Sequence, residues 1–263
     1  MDTASYKNII LDVKENVATL YLNRPMQLNV LNEETLTEID HALDAIAINL
    51  SVKIAVLRSN CKKAFTAGAD VREMREKDVQ CAVKFAELGH RIGYKLEKKM
   101  PPVIAVLNGY VLGGGLEIAS ACDLRIATPD AVFAQPEIDI GIIPGWGGTQ
   151  RLCRLIGLGR AKELIYMGKR ITAEEALEIG LVNMVVSHDK LDDALNSLCS
   201  IIKSKSRIAL MAAKRAIEMN VETSLDIGLS YEVQTWATLF ATYDQKEGMT
   251  AFLEKRVPHF IDK

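Results

Sequence analysis

The chain has 263 residues, 49% of them apolar and 25% charged, with a formal net charge of −2. That length suits one large domain, or a domain with an appendage, and a charge so near zero excludes a strongly basic nucleic-acid or anionic-membrane binder. No run approaches the ~20 apolar residues of a membrane span, and the opening MDTASYKN carries Asp2 ahead of any apolar run, so neither a spanning helix nor a secretory leader is expected.

NIILDV (Asn8–Val13) and VATLYLN (Val17–Asn23) are β-rich, and the Lys-Glu-Asn between them predicts a hairpin. Asn32 offers an N-cap, and Leu36, Ile39, Leu43 and Ile46 follow at helical spacing. KIAVLR (Lys53–Arg58) predicts a short buried strand. AFTAGAD (Ala64–Asp70) reads as a glycine-containing loop, followed by a polar helical stretch to about Lys99. VIAVL (Val103–Leu107) predicts another strand, then three consecutive glycines and a short helix to about Cys122. LRIA (Leu124–Ala127) and AVFA (Ala131–Ala134) predict strands, and IGIIPGWGGTQ (Ile140–Gln150) a loop. Arg160–Met167 reads as helix. Thr172 and Glu175 form a capping-box pattern for the next helix, with Gly180 as its stop. VNMVV (Val182–Val186) is the last strand candidate, and nearly everything from Asp189 to Lys255 reads as helix. This pattern predicts an α/β core over residues 1–190 and an all-α region over 191–263.

Cys61, Cys81, Cys122, Cys153 and Cys199 are odd in number and scattered, with no CxxC pair and no Cys/His cluster. Reduced thiols in a cytoplasm-like compartment are expected, not a disulfide framework or a zinc site.

Two glycine turns and two acids are the candidates for chemistry; the alternatives are a tight packing turn for the glycines, an acid favoured by the helix dipole for Glu117 and a plain loop acid for Glu137. In NGYVLGGGLEIA (Asn108–Ala119), bare backbone at a strand-to-helix junction lets a ligand approach closely and leaves the first helical N–H groups free. Gly68 lies in a similar position and can expose the N–H of Ala69. Two such donors from separate turns can meet on one oxygen, as in an oxyanion hole, although spacing alone does not bring them together. A dinucleotide-binding turn is disfavoured, because the glycines are contiguous and GxGxxG is absent. Glu117 and Glu137 both have apolar neighbours, so burial is expected to raise their pKa. A carboxyl pair beside an oxyanion site equips a protein for general acid–base work.

KAFTAGADVREM, NGYVLGGGLEIASACDLRIA, FAQPEIDIGIIPGWGGTQRL and the terminal AFLEKR together resemble the enoyl-CoA hydratase/isomerase (crotonase) superfamily, in order and separation. The resemblance runs from NRP (Asn23–Pro25) to Lys255. It implies an α/β fold, a crotonase-like spiral of ββα units with an all-α C-terminal trimerisation region. Carried onto this chain, it implies that the amides of Ala69 and Gly114 hold an acyl-CoA thioester oxygen. It also implies that Glu117 and Glu137 are the hydratase acids, Glu117 mainly the base toward water and Glu137 mainly the acid toward C2. The expected reaction is reversible hydration of the C2–C3 double bond of a 2-enoyl-CoA, crotonyl-CoA among short substrates.

The resemblance further implies CoA contacts at Ala67, Gly68, Ala69, Asp70, Val71 and Arg72, and an acyl-pocket position at Met74. Phe252 and Lys255 match positions that reach CoA bound by a neighbouring subunit, so a homotrimer or dimer of trimers is expected. No metal or redox cofactor is implied, because coenzyme A is part of the substrate. Nucleic-acid and membrane partners are not implied. Met26 departs from relatives with a basic residue after NRP. Trp146 stands where smaller residues are common; an inward ring would shorten the acyl pocket, an outward one would only pack. An isomerase, a hydratase of a branched or ring enoyl-CoA, and a non-catalytic acyl-CoA- or RNA-binding relative are the alternatives.

Overall fold

A computed structural model describes residues 6–263. The reading of the amino terminus as free of a leader rests partly on Met1–Ser5, which lie outside the described residues. The chain divides into two compact units, the first ending at Ala194 and the second spanning Leu195–Lys263.

In the first unit, β1 (Ile9–Lys14) and β2 (Val17–Leu22) pair antiparallel. Glu15 and Asn16 turn the hairpin at φ 46° and 68°, the left-handed pair whose twist matches the strands. Asn32 caps α1 (Glu33–Ile48) by accepting the Thr35 N–H at 3.0 Å, and the helix buries Leu36, Ile39, Leu43 and Ile46.

The next three strand pairs, β3 (Ile54–Ser59) with β4 (Ala64–Thr66), β5 (Val103–Leu107) with β6 (Tyr110–Leu112), and β7 (Leu124–Ala127) with β8 (Val132–Ala134), follow one rule. The first member joins a six-stranded sheet ordered β1-β2-β3-β5-β7-β10, where β10 is Met184–Val185. The second joins a four-stranded sheet ordered β4-β6-β8-β9, where β9 is Ile171–Thr172. Within each sheet the successive strands of these pairs run parallel. The result is a spiral of ββα turns, each advancing both sheets by one strand. The helices are α2 (Val71–Arg75), α3 (Val79–Lys98), α4 (Gly114–Ser120), α5 (Gly148–Ile156), α6 (Leu158–Tyr166) and α7 (Ala173–Glu178). All five residues of β5 are buried, which explains its unbroken apolar sequence.

The small sheet sets up the site. Thr66 ends β4 opposite Val111 of β6, and Leu112 ends β6 opposite Ala134, the last residue of β8. Three parallel neighbours therefore release their following segments, Ala67–Asp70, Gly113–Glu117 and Gln135–Glu137, from the same edge. Ligands of parallel sheets sit at such carboxyl ends.

Several segments differ from the sequence reading. AFTAGAD opens with a strand, Ala64–Thr66, and Tyr110–Leu112 is a strand ahead of the glycines. Strands of three residues are too short to show a period of two. The helical stretch before Lys99 breaks between α2 and α3, where Asp78 accepts the Cys81 N–H and starts α3. The segment read as one loop from Ile140 ends in helix, because Gly148–Gln150 form the first turn of α5. The Thr172–Glu175 capping box forms as expected.

Helix α8 (Leu191–Lys203) begins in the first unit and leads into the second, which holds α9 (Arg207–Met219), α10 (Leu225–Leu239) and α11 (Tyr243–Glu254). Buried Asp244 accepts the N–H groups of Ile261 and Asp262 and so ties down the C-terminal residues. No helix among the described residues is long and apolar enough to cross a membrane.

Candidate active site

A cavity of about 540 Å³ opens where the three segments meet, lined wholly by first-unit residues. Ala67, Gly68 and Ala69 line it from one segment, Gly113, Gly114 and Glu117 from the second, and Pro136 and Glu137 from the third. The first two turns touch: a Cβ on Gly68 would lie 2.9 Å from the Leu112 carbonyl oxygen and 3.8 Å from the Gly113 Cα. The bonds Leu31 N–H to Gly68 O (2.8 Å) and Asp70 N–H to Leu31 O (3.0 Å) anchor the first turn on either side of Ala69. Among the described residues, neither the Ala69 amide nor the Gly114 amide has an acceptor in the protein. Both residues line one cavity, and neither amide is used within the protein.

Each of the three consecutive glycines has its own reason. Gly113 has φ +51°, and a Cβ there would lie 2.7 Å from Glu137 Oε1. A Cβ on Gly114 would overlap the Trp146 indole, and one on Gly115 would overlap the Thr66 methyl. Bare backbone admits a carboxylate, an indole and a methyl group around one short helix.

Glu117 is 2% exposed. Its Oε1 accepts the N–H groups of Trp146 and Gly148, each at 2.7 Å. Burial pushes its pKa up, opposed by those two amides and the Arg151 guanidinium. Glu137 sits in a 3-10 turn, Pro136–Ile140. Burial and then the Glu117 charge push its pKa from 4.5 up to about 7. The side-chain amide of fully buried Gln135 lies against Glu137, and with its nitrogen turned inward it donates to both carboxyl oxygens at 3.1 Å. The two carboxyls thus form an interacting pair, Glu117 buried and Glu137 half-buried, with unequal surroundings, one cradled by main-chain donors and the other pushed toward its neutral form near pH 7.

Trp146 points inward. It is 4% exposed, lines the cavity and packs edge-on against Phe85, with ring centroids 5.2 Å apart. Gly89 of α3 is its socket, since a Cβ there would overlap the indole. Met74 and Val71 also line the cavity. Asp70 does not; its side chain caps α2 by accepting the Arg72 N–H at 3.1 Å. Arg72 is exposed and lies outside the lining. Phe252 and Lys255 lie at the end of α11 in the second unit; Phe252 is 83% exposed, and Lys255 ends the helix at φ +57°. Sequence reasoning missed Ala82, Phe85 and Ala86 on α3, and Ile142 and Ile143, all lining the cavity. Ala82, Phe85, Ala86 and Gly89 share the i, i+3, i+4, i+7 spacing of one helix face, a signal that was available.

The sequence model of the family described as enoyl-CoA hydratase/isomerase matches residues 12–263. Similar proteins include a crotonyl-CoA hydratase of Syntrophomonas wolfei, 44% identical over 98% of this chain and 100% of its own length. A short-chain-enoyl-CoA hydratase of Clostridium acetobutylicum is 44% identical over 95% of each chain. Among solved structures, an enoyl-CoA hydratase of Bacillus anthracis superposes with a TM-score of 0.93 at 39% identity, covering 98% of this chain and 100% of its own.

Proposed function

The chain belongs to the enoyl-CoA hydratase/isomerase family, and from that premise we propose that this cavity hydrates a short-chain 2-enoyl-CoA, such as crotonyl-CoA, to the 3-hydroxyacyl-CoA. The observation that carries the residue roles is the pair of unused amides, Ala69 and Gly114, lining the same cavity as buried Glu117 and half-buried Glu137.

Conjugation with the thioester makes C3 electrophilic, and attack there drives charge onto the carbonyl oxygen. Two fixed N–H donors stabilise that enolate-like oxygen, each by about 3–4 kcal/mol of barrier. Glu117, held by the Trp146 and Gly148 amides, takes a proton from water as its oxygen bonds to C3. Glu137, protonated near neutrality, gives its proton to C2. The pair ends with its proton on Glu117 and resets by exchange with solvent. Dehydration is the same path reversed. Proton transfer between the carboxyls and substrate accounts for every bond change, so the reading calls for no metal or redox cofactor. Double-bond isomerisation needs no water, and a second carboxyl beside the first favours hydration.

Substrate length follows from Trp146. With its ring seated on Gly89 and Gly114, the indole and Phe85 wall the cavity beside Glu117. In a kinetic survey of trans-2-enoyl-CoAs from four to ten carbons, kcat/KM is expected to be highest for the shortest. Trp146→Ala is expected to raise the eight- to four-carbon kcat/KM ratio at least ~10-fold, the scale of one or two methylenes in an apolar pocket. Trp146→Phe is expected to move it less, in the same direction. A flat parental profile, or one unchanged in both variants, removes the indole as the determinant.

Arg72 is proposed as a phosphate contact for CoA, free to swing because it is exposed. Phe252 and Lys255 are proposed to complete the CoA site of a neighbouring subunit in a homotrimer or dimer of trimers. The outward apolar side chains of α10, Leu225, Ile227, Leu229, Val233 and Trp236, support an assembly that covers them. All five cysteines are free thiols, which supports a reducing, cytoplasm-like compartment.

A further inference from the structure

One half-buried ion pair stands behind the site. Arg151, in the first turns of α5, sends Nε and Nη2 to the two oxygens of Glu97 on α3, at 2.5 and 2.7 Å. Its remaining branch, Nη1, donates to the Trp146 carbonyl at 2.9 Å. Both side chains are largely buried, Arg151 14% and Glu97 20% exposed. Two glycines clear the space: a Cβ on Gly93 would lie 2.7 Å from Nη2, and one on Gly147 would overlap Nη1. Gly147 also turns the chain at φ +110°, a conformation that disfavours any side chain.

The turn so gripped is the one that holds Glu117. Trp146 and Gly148 present their N–H groups to Glu117 Oε1, while Arg151 holds the Trp146 carbonyl from the other side of the same turn. A bidentate guanidinium–carboxylate fork is the rigid choice for such a job.

We propose that Arg151, fixed by Glu97, is a positioning residue for Glu117: it locks the Trp146–Gly148 turn whose amides aim and hold the base. The proposal rests on the reading of Glu117 as the base toward water. The charged groups facing Glu117 are Glu137 across the cavity and Arg151, with Glu97 behind Arg151. The Arg151 charge favours the Glu117 anion, and Glu97 partly neutralises it.

The test measures kcat, KM and the pH dependence of kcat on crotonyl-CoA for the full-length parent, Arg151→Met, Arg151→Lys and Glu97→Gln. Arg151→Met is expected to lower kcat about 10²-fold, the scale of a misplaced catalytic group, with KM within a few-fold. Its acidic limb is expected to move up by about one pH unit, because a cation no longer favours the carboxylate. Arg151→Lys keeps the charge and loses the fork, so its limb is expected to stay near the parent's while kcat still falls. Glu97→Gln leaves the cation less neutralised, so its limb is expected to move down. Limbs that coincide in all folded variants, or losses confined to KM, overturn the proposal. If Arg151→Met does not fold, the opposed behaviour of the other two variants decides. A parent inactive on crotonyl-CoA, or a fully active Glu117→Gln, is instead a failure of the reading of the site itself.

Discussion

Glu137→Gln is expected to lower kcat for crotonyl-CoA hydration by about 10³-fold, within the range for a lost general acid, and at pH 8 to make the protein more stable. Both effects come from one cause. Folding moves the Glu137 carboxyl from 4.5 to about 7, first by burial and second by the Glu117 charge. A group whose folded pKa is raised contributes fully below its unfolded value, and that contribution is lost as pH rises through the folded value. The window is therefore pH 4.5 to 7. Above it, the folded parent holds an ionised carboxyl in a place that disfavours ionisation by about 3 kcal/mol. A glutamine there does not ionise. Thermal melts are expected to show Glu137→Gln above the parent at pH 8 and level with it near pH 4.5. A variant no more stable than the parent at pH 8, or as active as the parent, contradicts the role. Glu117→Gln is expected to cost a similar factor in kcat, with affinity for CoA esters changed only a few-fold. Because the two groups act as a unit, the double variant is expected to be little worse than either single one.

Gly114→Ala is the second large effect. The new methyl would overlap the Trp146 indole, which is 4% exposed and locked edge-on against Phe85. The overlap resolves by moving the Gly114 amide off the thioester oxygen or by driving the ring into the acyl space. Loss of one oxyanion donor predicts a fall in kcat/KM on crotonyl-CoA of about 10²–10³-fold. Overpacking adds about 1–3 kcal/mol of destabilisation, readable as a lower Tm. Adding Trp146→Ala makes room for the methyl, and the double variant is expected to recover at least ~10-fold of the lost rate. Parental kinetics in Gly114→Ala would mean that the position of that amide does not matter.

Long periodic elements were legible in the sequence. The α1 face of Leu36, Ile39, Leu43 and Ile46 is buried as its spacing indicates, and Asn32 caps the helix. Of the three-residue strands that build the site, β8 is legible as AVFA, but β4 and β6 are not, and Tyr110–Leu112 carries no period at all. Their adjacency brings the glycine turns and acids together, and it is a property of sheet order that no local pattern encodes. The motifs therefore named the site's parts without placing them beside one another. Trp146 was undecided because Gly145 and Gly147 permit either direction; the deciding socket, Gly89, lies 57 positions earlier on another helix. No sequence pattern points to Arg151, since its partner Glu97 is 54 residues away.

The account turns on where the thioester oxygen rests. The measurement that reaches it most directly is a crystal structure of the full-length protein with the product analogue 3-hydroxybutyryl-CoA bound. The expected result places the thioester oxygen within about 2.7–3.1 Å of both the Ala69 and Gly114 nitrogens, with the 3-hydroxyl shared between Glu117 and Glu137. An oxygen beyond reach of either amide, or a hydroxyl touching neither carboxyl, would contradict it.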